Sequence, residues 1–489
     1  MTAPAVRPSA TAFGRRRFLR LSALAAGPLL TSFGCRQPSP SLAPVVVVGA
    51  GLAGLMAADV LRKAGRQVVV LEARGYPGGR VRTIREPFDE GLFAEAGAIR
   101  IAPSHQIVIR LAKQFGLDLV PFDSSNGSSL ITVGTRRIRT DALSRTTLPL
   151  ELKADERGLG QGALLERYVG DLPNDLADLA PTAASYARWE AFDRLTWHEW
   201  LRSRGASPGA VRLMTLGGDS SELSALYVLR QFALLRGTTQ FYKLQGGMDQ
   251  LPRAMAGALG DRVRYNAAVV RLDQADAETP ARTVRVDYVE NDQTRSLRAS
   301  RVILAIPFST LRQIDVRPAL SPNRARVINE LPYFPATRLL LQSRTRFWHA
   351  SGLSGYARTD QPAEIWDCTY DAPAAPGILG ATVGGALGRS MLEMSEDQCI
   401  QLGWDLVAAT FPDIRAGFVK GVALRWALEP WSRGAFAVFH PGQMTSMMPG
   451  ISRPEGRLHF AGEHTSSWMG WMEGALESGE RAAREVLSQ

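Results

Sequence analysis

Gly49, Gly51 and Gly54 stand at G-x-G-x-x-G spacing, directly after the valine run Val45–Val48 and before a helix-period stretch, Leu55–Lys63. Glycines at those places let a chain turn tightly, bring backbone against a ligand and pack a helix close on a strand. The helix they open presents free N–H groups and positive dipole charge, which suits a pyrophosphate. A second apolar strand, Gln67–Leu71, ends at Glu72, 18 residues after Gly54, about where an acid meets a ribose hydroxyl. Strand, glycine turn, helix, strand and acid in this order predict a dinucleotide site formed by Gly49, Gly51, Ala53, Gly54, Glu72, Ala73 and Arg74. Glutamate rather than arginine at the strand end disfavours a 2′-phosphate, and with it NADP.

Gly78-Gly79-Arg80-Val81-Arg82 follows the ribose position. It resembles the GGR segment of the flavin amine oxidase family, in which backbone and arginine bind FAD; Gly79 and Arg80 take that place here. Further on, Gly97-Ala98-Ile99-Arg100 lies between an apolar strand and a predicted helix over Ser104–Phe115. The stretch is similar to one in the L-amino-acid oxidases, where backbone at Gly97, Ala98 and Ile99 would meet the flavin ring. There the arginine matching Arg100 forms a bidentate pair with the substrate carboxylate. Phe241–Pro252, FYKLQGGMDQLP, matches the family segment that opens a helix. By the same resemblance Val269, in the predicted strand Val263–Leu272, contacts the adenine through its backbone. Near the C-terminus, the strand from Arg457 ends at Glu463, and Gly470-Trp471-Met472-Glu473-Gly474-Ala475 opens a helix to Leu487. The family places this acid on the ribityl–phosphate region and this helix N-terminus at the flavin edge where negative charge collects on reduction. Trp471 matches an aromatic beside the substrate amino group, and Trp366 falls near a carboxylate-contacting tyrosine. Arg338 stands where the family has a lysine that holds a water beneath flavin N5. A guanidinium stays charged and holds water differently from an ammonium.

The resemblance spans residues 44–489 and implies non-covalent FAD, because no cysteine occurs near Gly470–Ala475. It implies oxidative deamination of an L-α-amino acid, with hydride transfer to flavin N5 and return of electrons to O2. The products would be a 2-oxo acid, ammonia and hydrogen peroxide. An amine oxidase on substrates without a carboxylate, an amino-acid dehydrogenase or 2-monooxygenase, and a non-catalytic flavin-binding protein remain open. Arg100 argues against simple amines, whereas Arg338 keeps the dehydrogenase in play.

These residues must be carried by more than one core, since 489 residues exceed an ordinary single domain. The fold class is α/β: a discontinuous Rossmann-like FAD domain (44–102, 240–320 and 425–489), a mixed-sheet substrate domain (103–135 and 321–424) and a helical insert (136–239). Ser129–Thr140 reads as a hairpin, and residues 321–424 as a mainly antiparallel sheet. In the insert, Trp189, Trp197 and Trp200 recur near helical spacing as core residues, and Glu199, Asp219 and Glu222 are candidates to face a cationic substrate. Half of the net charge of +10 sits in residues 1–35, which hold five arginines and no acid. The densest later run, Arg136-Arg137-Ile138-Arg139, has no interleaved aromatic, so nucleic acid is not expected as a partner. Arg15-Arg16-Arg17-Phe18-Leu19-Arg20, followed by the apolar Leu21–Phe33, looks like a twin-arginine export signal within a leader over 1–43. It implies the twin-arginine machinery as a partner and a periplasmic or extracellular protein, anchored to a membrane only if Cys35 is lipidated. Cys368 and Cys399 are the two cysteines left in a processed chain, and their spacing leaves open whether they pair; no Cys/His cluster suggests a metal, and family resemblance makes a homodimer the expected assembly.

Overall fold

The computed structural model describes residues 43–489 apart from 123–126, 181, 219, 276–282, 361–362 and 373–374. The stretch Arg15–Arg20 expected to be an export signal, Cys35 and Asp219 lie outside the described residues. Val45–Val48 is the middle strand of a five-stranded parallel sheet, flanked by Val68–Leu71 and Arg301–Leu304 in register. Leu458–Phe460 and Val263–Arg264 form its edges. Both faces of the middle strand are covered, which is why the sequence shows no alternation there. Val45 and Val47 pack with the helices Leu52–Lys63 and Met472–Leu487, while Val46 and Val48 join the core shared with Leu272 and Val286. Those two helices touch closely: a Cβ on Gly479 would sit 2.1 Å from the Ala53 carbonyl oxygen.

The predicted strand Val263–Leu272 is in fact two. Asn266 takes φ +53, which ends Val263–Arg264 and starts Ala267–Asp273 in a separate four-stranded sheet with Val284–Glu290, Gln293–Ala299 and Asp315–Arg317. A bulge between Val269 and Arg271 shifts the register, and Asp315–Arg317 pairs only with Arg271–Asp273. Val269 therefore sits beyond the end of that pairing.

The third sheet has seven strands in the order Phe418–Arg425, Thr337–Ser343, Gly377–Val383, Ala363–Asp367, Leu353–Thr359, Ser128–Val133 and Arg136–Arg139. All of its pairings are antiparallel except the one between Leu353–Thr359 and Ser128–Val133. The expected hairpin is thus its last two strands. Every regular element described between Thr140 and Leu234 is helical. Trp189, Trp197 and Trp200 are buried there against Phe192 and Phe232. Glu199 caps its own helix by accepting from the Thr196 N–H at 2.9 Å, and Glu222 pairs with Arg389 at the surface, so neither carboxylate awaits a substrate. Cys368 and Cys399 are both free thiols. No described helix is long and apolar enough to cross a membrane.

Candidate active site

A cavity of about 840 Å³ runs from the carboxyl ends of the parallel strands, at Val48, Leu71 and Ala305, to the seven-stranded sheet, at Arg338, Glu364 and Thr382. Gly49, Gly51, Ala53, Glu72, Ala73 and Arg74 line its first end, and Gly79, Arg80 and Val269 continue it. Gly49 needs its φ of +98, but Gly51 is different: a Cβ there meets nothing within 4 Å and would stand in the cavity. Gly54 does not reach the lining. A Cβ on it would fall 1.9 Å from the Gly49 carbonyl oxygen, so this glycine serves helix–turn packing.

Glu72 is buried, and its carboxylate accepts from the Ala50 N–H at 2.7 Å and the Arg74 N–H at 2.8 Å. Burial raises its pKa above the ordinary glutamate value, against the pull of these bonds. The acid thereby ties the glycine turn to the second strand. Arg74 reaches on to Ser432 Oγ at 3.1 Å and Glu429 at 3.3 Å. Arg80 pairs with Glu463 at 2.7 Å, and the same carboxylate accepts from the Gly470 N–H at 2.8 Å and the Ala437 N–H at 3.2 Å. Two motifs at opposite ends of the chain are thus one cluster.

Met472–Leu487 begins at Trp471 without a side-chain cap, as Leu52–Lys63 does at Gly51. Gly470, Trp471, Met472 and Ala475 line the cavity. Two uncapped helix N-termini and the open cradle at Gly51 fit the phosphates and the reduced ring of a flavin dinucleotide. Glu473 and Gly474 are absent from the lining. The Glu473 carboxylate accepts from the Ile107 N–H at 2.9 Å and the Val108 N–H at 3.0 Å, capping the helix Gln106–Gln114, because the first turn of its own helix turns position 473 away from the lining. Gly474 allows the chain to pass Trp468, whose carbonyl oxygen would lie 2.1 Å from a Cβ.

At the far end, Gly97, Ala98, Ile99 and Arg100 line the cavity beside Arg338. Arg338 donates to Thr382 Oγ1 at 2.7 Å, the Gly97 carbonyl at 3.1 Å and the Ala96 carbonyl at 3.3 Å. Its guanidinium lies 4.7 Å from the Trp366 ring, and burial brings its pKa down to about 10, so it stays a clamped cation. Trp366, expected near the substrate carboxylate, is buried off the lining, beneath Arg338. Trp471 does reach the cavity, held by Gln231 Oε1 at 2.8 Å and stacked on Phe241.

Arg100 is engaged. It donates to Glu364 Oε1 at 2.8 Å and Oε2 at 3.4 Å, and its guanidinium lies 5.0 Å from the Phe122 ring. Glu364 also accepts from the Tyr356 hydroxyl at 2.6 Å, which in turn accepts from Arg358 Nε at 2.9 Å. Burial works to raise the Glu364 pKa, but the Arg100 charge and these bonds hold it at about 2. Sequence reasoning passed over Glu364 and Tyr356. The signal was present, since Glu364 stands two residues before Trp366 on one strand and so shares its face of the sheet.

The profile of the family "flavin containing amine oxidoreductase" matches residues 52–487. An L-amino-acid oxidase of Vipera ammodytes ammodytes is 31% identical over 456 residues, covering 90% of this chain and 92% of that protein. Among solved structures, a putrescine oxidase bound to putrescine superposes with a TM-score of 0.77 at 24% identity, covering 91% of this chain and 99% of that one. The cyclohexylamine oxidase of Brevibacterium oxydans IH-35A gives 0.76 at 24% identity, with 91% and 100% coverage. At that identity the two structures speak for the fold alone.

Proposed function

The chain belongs to the flavin-containing amine oxidoreductase family, and from that premise we propose that it oxidises L-α-amino acids with non-covalently bound FAD. One observation carries the substrate class. The far end of the cavity holds two guanidinium groups, Arg100 and Arg338, against the single carboxylate of Glu364, an excess of positive charge that suits a substrate carboxylate. Arg100 would fix that carboxylate, and Trp471 would bound the space around the Cα and amino group. FAD, when bound, supplies the acceptor for the Cα hydrogen and its electron pair. Overall, an amino acid, O2 and water give a 2-oxo acid, ammonia and hydrogen peroxide. Arg338 cannot act as a base while it remains a guanidinium, so its contribution is a fixed charge.

A second reading has its own support: Glu364 already holds Arg100 by two hydrogen bonds, and an arginine partnered in that way suits an amine without a carboxylate. Anaerobic mixing of the yellow protein with pairs such as L-phenylalanine and phenethylamine, followed by air, separates the two. Bleaching by the amino acid alone, with colour and peroxide returning in air, is the expected result. Bleaching by the amine alone overturns the proposal, and bleaching that persists in air makes the enzyme a dehydrogenase. Export is part of the same reading, carried by Arg15-Arg16-Arg17-Phe18-Leu19-Arg20. Changing Arg16 and Arg17 to lysine should leave flavin-loaded protein inside the cell; unchanged export would remove the twin-arginine assignment.

A further inference from the structure

The Arg100–Glu364 pair puts a fixed cation and a fixed anion 2.8 Å apart on the wall of the cavity. A free α-amino acid carries the opposite arrangement, a carboxylate and an ammonium on neighbouring atoms. Each is the complement of the other. Glu364 is also tethered from behind, by the Tyr356 hydroxyl at 2.6 Å, with Arg358 bonded to that hydroxyl. It can therefore give up part of its hold on Arg100 without becoming an unpartnered buried charge, which would be strongly unfavourable. Its direct bonds occupy two of the five N–H donors of Arg100, so the guanidinium retains donors for a second carboxylate.

We propose that Arg100 and Glu364 together form a receptor for the zwitterion, Arg100 taking the substrate carboxylate and Glu364 the substrate ammonium. Glu364 is thus a specificity-determining residue that favours free α-amino acids over both plain amines and plain carboxylates. The inference rests on the amino-acid reading above and adds to it the partner of the amino group. A merely competing Glu364 predicts the opposite behaviour, because removal of a rival anion tightens every carboxylate ligand.

The test uses two probes that cannot be oxidised at a Cα–H α to an amine: α-aminoisobutyrate, a zwitterion, and isobutyrate, the same skeleton without the ammonium. Dissociation constants are read from the perturbation of flavin absorbance in the loaded enzyme. Glu364→Gln keeps shape and hydrogen bonding to Arg100 but removes the charge. It should weaken α-aminoisobutyrate by about tenfold or more while leaving isobutyrate unchanged or tighter. Glu364→Asp, which keeps the charge, should preserve the wild-type preference for the zwitterion and serves if the glutamine variant does not load flavin. Equal tightening of both ligands in E364Q, or no change in either, overturns the receptor and leaves the amino-acid reading standing. Isobutyrate binding that survives Arg100→Gln overturns that reading, and the receptor falls with it.

Discussion

At the scale of single residues, the far end of the cavity is decided by partners that each guanidinium has already taken. Arg100 spends part of its fork on Glu364, and Arg338 is tied to two carbonyls and a threonine. The consequences differ. Arg100→Ala should raise the KM for a reactive L-amino acid by two or more orders of magnitude, roughly 3 kcal/mol, and should not weaken the matching amine, for which Glu364 is left free; steady-state kinetics on such a pair decides it. Arg338→Met removes a fixed charge from the same wall and should act on stability as well. It strips donors from Ala96, Gly97 and Thr382, at a cost of roughly 2–4 kcal/mol, and an unshifted denaturant midpoint would count against the clamp. Arg100 was legible as a site residue because its motif is short and contiguous. Its pairing with Glu364 was not, since 264 residues separate them.

At the scale of elements, glycines with one spelling do two jobs. Gly54→Ala drives a Cβ to within 1.9 Å of the Gly49 carbonyl oxygen and should destabilise the folded chain by roughly 3 kcal/mol, with or without flavin. Gly51→Ala meets open space and should leave the flavin-free melting temperature unchanged while weakening flavin retention on gel filtration. Equal effects of the two variants on the flavin-free protein would remove the distinction between packing and cradle. The helix Met472–Leu487 divides its first turn similarly. Met472 and Ala475 face the cavity, while Glu473 turns away to cap Gln106–Gln114. A hexapeptide motif cannot disclose that division, because the direction of each side chain follows from how the helix is docked.

For the whole molecule, burial of charge makes stability depend on pH. Glu95 lies inside the fold, accepting from Thr83 Oγ1 at 2.9 Å and the Met248 N–H at 2.9 Å, and burial raises its pKa to about 7. Below about pH 4.5 the group is protonated in both folded and unfolded chains and has no effect. Between pH 4.5 and 7 the unfolded chain releases the proton that the folded chain keeps, so stability falls as pH rises. Glu95→Gln should remove this dependence, gaining up to roughly 3 kcal/mol relative to the parent by pH 7. Unfolding free energies from urea titrations at pH 5 and 7 check both the sign and the size.

The sequence by itself determined the parallel core, the glycine turn, the acid after the second strand and the C-terminal helix. Each is written in adjacent residues, through a valine run, a fixed glycine spacing or a helical period, and local rules suffice for them. It also carried the family and the flavin. Only the tertiary structure decided that Val263–Leu272 breaks at Asn266, that Trp366 lies beneath Arg338 rather than in the cavity, and that Glu364 stands against Arg100. Those outcomes depend on how the seven-stranded sheet is set against the Gly97–Arg100 loop. Side-chain partners across such a junction are chosen by packing and buried charge, which no spacing within one segment encodes.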